Sequence, residues 1–137
     1  REEELLRRVL ALDESRPFAW NNLGILLART TGDREAALDC YERAIRADSS
    51  LAEPWYNRGN VLLEKGLPDE ALEDFDRAIR ADPSFGWARV GKAAALLRKG
   101  DLEGAVRELQ LALRADPSFA PARAMIEDLR RRAASPR

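Results

Sequence analysis

The chain has 137 residues, of which 45% are hydrophobic and 34% are charged, and its formal net charge is -1. This balance produces no global field that would select nucleic acid or an anionic membrane, and the apolar runs are far too short for membrane insertion, so we expect neither kind of partner. The single cysteine excludes an internal disulfide and is compatible with a reducing compartment, so we expect a cytoplasmic protein.

The first predicted helix covers Glu2 to Leu12, with apolar residues at helical spacing. Leu6 falls on the repeat position that Tyr41 and Phe75 occupy further along the chain. We therefore interpret residues 1–16 as the second helix of an incomplete repeat, and we expect the chain to be a segment of a longer protein.

Residues 17–51 form the first complete predicted repeat. Pro17 opens a helix to about Arg29, because proline is tolerated in a first turn, and Asp33 caps a second helix to about Ala47.

The second predicted repeat, residues 52–85, has Pro54 and Pro68 in the first turns of its two helices, and the third covers residues 86–119. The last predicted segment, residues 120–137, contains a capping helix and a tail that includes Pro136. We expect the capping helix to start slightly before this segment, near Ser118. Glu127 of this helix stands where the complete repeats carry a small residue, so another helix cannot approach closely there.

The stretch from Ala52 to Phe85 is repeated on both sides with a period of 34 residues. A fixed period over the whole chain predicts stacked helix pairs with a continuous core. Gly24, Gly59 and Ala93 share one register in the first helices. Because glycine costs about 1 kcal/mol inside a helix, we expect each first helix to cross its partner closely there.

The central repeat resembles the tetratricopeptide repeat family at seven signature positions: Trp55, Gly59, Leu62, Ala71, Phe75, Ala78 and Pro83. It departs from the family at Arg58, where leucine is usual, and the third repeat departs at Arg89 and Lys92. The resemblance implies an all-α solenoid of about eight antiparallel helices in a right-handed superhelix, with the first helices lining a concave groove.

Members of this family are typically non-catalytic scaffolds that hold an extended peptide or a short helix of another protein in this groove. The resemblance therefore implies a protein or peptide partner and no cofactor. Carried over position by position, the candidate partner-binding residues are Phe18, Asn21, Asn22, Ile25, Tyr56, Asn57, Asn60, Leu63, Trp87, Val90, Leu97 and Arg98.

Asn22 and Asn57 share one register and resemble two rungs of an asparagine ladder that binds a peptide backbone, although asparagine is also common in the family at this position. The third rung is Gly91. Trp87 is a candidate binding anchor, since aromatic residues dominate interface hot spots, and its alternative role is to pack beside Arg89 in place of the missing core tryptophan.

Family members that bind acidic chain termini use a basic clamp, and here the clamp positions hold Asn21, Ile25, Trp87 and Gly91. An apolar or mixed segment is therefore the expected ligand.

Catalysis has no support, because the chain has no histidine and no phosphate-binding loop or metal-ligand cluster. Cys40 is expected at a partly exposed outer position without a base to activate it. Two other functions stay open. The first helix could offer Leu5 and Leu10 to another copy of the chain, or the segment could select substrates for a larger enzyme.

Overall fold

The computed structural model describes residues 1–135 and contains eight α-helices in that range. Pro136 of the predicted tail lies outside the described residues. The helices are α1 (Glu2–Leu12), α2 (Pro17–Thr30), α3 (Arg34–Ala47), α4 (Ala52–Glu64), α5 (Pro68–Ala81), α6 (Gly86–Arg98), α7 (Leu102–Ala115) and α8 (Ala120–Ala134).

Local signals fix where these helices begin and end. The Asp33 side chain accepts a hydrogen bond of 3.0 Å from the amide of Ala36, which caps α3 as the sequence predicts. Gly66 and Gly100 adopt φ angles of 79° and 82° between the helices of their repeats, a conformation that favours glycine. The predicted start of α8 near Ser118 is early, since Ser118 belongs to the preceding turn and Phe119 is the N-cap.

An aspartate and a serine two residues later form the turn between successive repeats. At Asp48 one carboxylate oxygen accepts from the Ser50 amide at 2.9 Å and from the Ser50 hydroxyl at 2.6 Å. These hydrogen bonds hold the pKa of Asp48 below its usual value of 3.8, and the same arrangement lowers the pKa of Asp116.

The stacking of the helices defines an inner and an outer side. The backbones of α2, α4, α6 and α8 approach their neighbours in this series to within 8 Å between Cα atoms, whereas within residues 1–135 those of the second helices α3, α5 and α7 stay further apart. The side formed by the first helices is therefore the tighter, concave side. Ion pairs bridge the junctions between repeats from the end of each first helix, with Lys65 binding Glu35 and Lys99 binding Asp69.

The predicted close crossings are confirmed. A Cβ atom built on Gly24 would lie 2.5 Å from Cε1 of Tyr41, and one on Gly59 would lie 2.8 Å from Cε1 of Phe75. Gly91 of α6 contacts the same Phe75 ring, since its Cβ would lie 2.5 Å from Cε1. Phe75, which is 0% exposed, therefore packs between the backbones of α4 and α6.

Helix α1 packs on α2 and buries one side of its apolar stripe. Leu10 is 5% exposed and contacts the core of the first repeat, so the expectation that it is open to another chain is wrong. Leu5 and Leu12 are exposed at 60% and 88%.

We expect Gly91→Ala to lower the free energy of unfolding by about 1–3 kcal/mol, the range for overpacking a core, because the buried Phe75 ring has no room to move away. This change should outweigh the gain of about 1 kcal/mol in helix propensity. Urea denaturation measures the difference. The cost should shrink when Phe75→Leu is also present, and an equal cost in both backgrounds would contradict the contact.

Stability should also depend on pH through Asp48. Because its pKa is lower in the folded state than in the unfolded chain, its stabilising contribution is complete above about pH 4 and is lost as the pH falls through the lowered pKa. Carbon-13 NMR titration of the carboxyl group should give a pKa below 3.8. Ser50→Ala removes one donor and should move that pKa back toward its usual value, and an unchanged pKa would contradict this cause.

Candidate functional site

Predicted site residues on α2, α4 and α6 line the concave side to different depths. Phe18 and Trp87 are the most exposed aromatic residues among them, at 66% and 45%. Asn22 and Arg98 are also exposed, and the Arg98 guanidinium lies 3.5 Å from the carbonyl oxygen of Leu63. The half-buried members are Ile25, Tyr56, Asn57, Asn60, Leu63, Val90 and Leu97.

The asparagines join two neighbouring first helices. Nδ2 of Asn57 donates to Oδ1 of Asn21 at 2.9 Å, and Nδ2 of Asn21 lies 3.5 Å from a carboxylate oxygen of Glu53. Asn21 is 1% exposed, so its side chain lies below the groove surface and connects α2 to α4. Of the two predicted ladder positions, Asn22 is exposed and Asn57 retains acceptor capacity on its amide oxygen. Contact of either asparagine with a ligand stays a prediction.

Gly91 at the third ladder position has a packing role. Because its backbone contacts the Phe75 ring, a larger side chain cannot occupy this place without moving α6. The interruption of the ladder thus follows from the core beneath it.

Two aromatic pairs connect the first helices along the concave side. Tyr56 of α4 packs edge-on against Phe85, with ring centroids 5.2 Å apart, and Trp87 of α6 packs edge-on against Phe119 at 5.7 Å. Sequence reasoning did not include Phe85 and Phe119 in the site. Their recurrence 34 residues apart, each just before a first helix, is the signal that could have identified them.

The junction between α2 and α4 contains a cavity of about 340 Å³ instead of such a pair. At the positions equivalent to Tyr56, Phe85 and Trp87, this junction carries the smaller Asn21, Leu51 and Glu53. The cavity is lined by Phe18, Asn21, Ser50, Leu51, Ala52, Glu53, Pro54, Ala81, Asp82 and Phe85.

The charged residues at core positions of the repeat are paired with acids on second helices. Arg58 donates from Nε to Asp74 at 2.8 Å and from Nη2 at 3.0 Å, and Asp74 is only 4% exposed. In the third repeat, Arg89 donates to Glu108 at 3.1 Å. The ammonium group of Lys92 lies 2.9 Å from a carboxylate oxygen of Asp76 on α5 and 3.8 Å from Glu108. These pairs account for the departures from the family pattern.

Cys40 shows that this acid position belongs to the core. It is 4% exposed against Leu10 and Leu23, so the expected partial exposure is wrong. Leu23 stands at the position of Arg58, and an apolar pair here replaces the ion pair of the next repeat. Burial raises the pKa of the Cys40 thiol to about 11, which keeps it in the unreactive protonated form.

Trp20 of α2 and Trp55 of α4 occupy the same position in their repeats but differ in burial. Trp55 is 8% exposed, with the guanidinium groups of Arg58 and Arg77 each 5.0 Å from its ring centroid. Trp20 is only half-buried, because Arg43 alone covers its ring in this way.

The model of the tetratricopeptide repeat matches this sequence twice, over residues 26–85 and 56–118. The chain belongs to the tetratricopeptide repeat family. No match is found among curated protein sequences.

Solved structures of other tetratricopeptide repeat proteins superpose on the chain. MamA is 28% identical with a TM-score of 0.76, over 86% of this chain and 68% of its own. YrrB, described as having an unusual peptide-binding site, is 26% identical with a TM-score of 0.77, over 88% of this chain and 62% of its own. The first repeat domain of Spaghetti (RPAP3), bound to the HSP90 peptide SRMEEVD, is 21% identical with a TM-score of 0.79, over 90% of this chain and 97% of its own.

The helices and the acidic side chains of residues 1–135 exclude two further kinds of site in that range. In this range no helix is long and apolar enough to cross a membrane. No three histidine, cysteine, aspartate or glutamate side chains of these residues are grouped so that they could hold a metal ion.

We expect Asp74→Ala to lower the free energy of unfolding by about 3 kcal/mol, because it leaves the half-buried guanidinium of Arg58 without its carboxylate. The double variant Arg58→Leu, Asp74→Ala should recover most of this loss, since the first repeat folds with Leu23 and Cys40 at these positions. Urea denaturation of both variants tests the pair. Additive losses in the double variant would contradict the ion-pair explanation.

Proposed function

We propose that this chain is a non-catalytic interaction module that holds an extended segment of a partner protein along the concave side of α2, α4 and α6. The observation that carries the proposal is the row of apolar side chains on this side that the core leaves partly uncovered. Trp87, near the start of α6, is the most exposed member of this row, which also contains Tyr56, Leu63, Val90 and Leu97.

Membership of the tetratricopeptide repeat family supports a role as a protein-interaction scaffold. The similarity to YrrB supports this role further, because YrrB is described as having a peptide-binding site. The peptide SRMEEVD in the Spaghetti structure is acidic, whereas the groove positions of this chain lack the basic clamp for an acidic terminus. We therefore propose a ligand of apolar or mixed character for this chain.

The arrangement of the polar groups also favours an extended segment. Asn22 and Asn57 lie on adjacent first helices, and each amide can both donate to and accept from a peptide backbone. Such hydrogen bonds would form with the peptide backbone whatever its sequence. Selection among peptide sequences would then depend on the row of apolar side chains. A cytoplasmic location and the absence of nucleic acid partners remain predictions.

Self-assembly is the second candidate function, and the exposure of Leu5 and Leu12 on α1 favours it. A second copy could cover these side chains. A molecular mass that stays that of the monomer from micromolar to millimolar concentration, measured by sedimentation equilibrium, would exclude this function.

The groove is tested with a peptide that the full chain selects from a random phage-displayed library. We expect Trp87→Ala to weaken its binding by about 2 kcal/mol, or roughly thirtyfold, because a tryptophan that a partner buries is a typical hot spot. Isothermal titration calorimetry measures the change.

Leu102→Ala is the matched control, because Leu102 is apolar and 49% exposed but lies on the second helix α7. It should leave the affinity unchanged. Circular dichroism verifies that both variants are folded. Equal affinity of wild type and Trp87→Ala, or a loss confined to Leu102→Ala, would place binding outside the groove.

A further inference from the structure

The cavity between α2 and α4 combines apolar walls with acidic groups. Phe18, Leu51 and Phe85 are the largest apolar side chains that line it, and Glu53 and Asp82 supply carboxylates. Among its lining residues, all of which lie in the described part of the chain, none is lysine or arginine. The cavity therefore offers contact to a hydrocarbon chain and attraction to a positive charge.

Resting on the proposed function, we propose that this cavity accepts a lysine or arginine side chain of the bound partner segment. The methylene groups of such a side chain pack on the apolar wall while its cation reaches the carboxylates of Glu53 and Asp82. The aromatic ring of Phe18 adds a favourable face for the same cation.

The C-terminal end of α5 and the first turn of α4 both lie at the cavity, and each affects whether it favours a positive or a negative ligand. Ala81 and Asp82 end α5, whose terminal carbonyl groups carry partial negative charge and favour a cation. The first turn of α4 would by itself favour an anion. Glu53 lies in that turn and supplies the negative charge from within the chain, so an acidic ligand would meet its repulsion.

The size of the cavity limits what can enter. Its volume of about 340 Å³ is at the lower end of the range for ligand pockets, which suits one long side chain better than a folded segment. At the next junction Trp87 stands in place of Glu53 and packs on Phe119. The first junction is thus distinguished by both its open space and its carboxylate.

The test uses three small probes, N-acetyl-arginine methylamide, N-acetyl-norleucine methylamide and N-acetyl-glutamate methylamide, with the full chain labelled with nitrogen-15. Titration followed by amide chemical shifts should show saturable changes at residues 51–53 and 85 with the arginine probe at millimolar concentration. The norleucine probe should bind more weakly, and the glutamate probe should produce no saturable change there. Binding of the arginine probe should fall as ionic strength rises.

Two substitutions separate charge from space. Glu53→Gln keeps the shape of the side chain and should weaken the arginine probe by about threefold, the size of one solvent-exposed ion pair. Glu53→Trp copies the residue at position 87 and should abolish the shift changes by filling the cavity. Glu103→Gln, which alters an exposed acid on α7, is the control and should change nothing.

Equal binding of the norleucine or glutamate probe would overturn the inference, as would full binding of the arginine probe to Glu53→Gln or to Glu53→Trp. Any of these results leaves the groove function standing, because that function is tested separately through Trp87 and a selected peptide. A selected peptide that depends on Trp87 but contains no basic residue near this junction would likewise refute the cavity assignment alone.

Discussion

The packing of the Phe75 ring between two helix backbones determines how the central part of the solenoid is built. Gly59 on α4 and Gly91 on α6 both admit the ring, so the second helix of one repeat is in close contact with the first helix of its own repeat and of the next. Bringing both first helices onto one ring draws α4 and α6 together, while the second helices stay apart. The close approach of α4 and α6 on the concave side therefore depends on two positions that lack a side chain.

The charged residues of the core show how the same backbone geometry accommodates different chemistry. The position of Leu23 is occupied by Arg58 and Lys92 in the later repeats, and the facing position changes from Cys40 to Asp74 and Glu108. Each change is made on both helices, which avoids an unpaired buried charge. The half-buried location of these pairs also lets their long side chains cover apolar surface, as Arg58 does over the ring of Trp55.

The sequence predicted the family, the helices and the close crossings, because these depend on local periodicity, helix-capping residues and small residues that recur along the chain. It did not predict the burial of Asn21 or Cys40, since each depends on which side chain a neighbouring helix brings opposite it. Tyr56 was predicted as a groove residue, but its contact with Phe85 depends on the turn that precedes α6. The cavity was missed for the same reason, because it results from several smaller residues that meet only when α2 and α4 are stacked.

The difference between the two junctions has a consequence for the cooperativity of the array. In a solenoid each repeat is stabilised mainly by its immediate neighbours, so the weakest interface sets where the array separates. The junction of α4 and α6 is closed by the aromatic pair of Tyr56 and Phe85, whereas that of α2 and α4 has a cavity and an amide contact between Asn21 and Asn57. We therefore expect residues 1–47 to separate from α4 more readily than α4 and α5 separate from α6. A ligand that spans both sides of this junction binds only the stacked form, and so its binding strengthens the coupling between repeats.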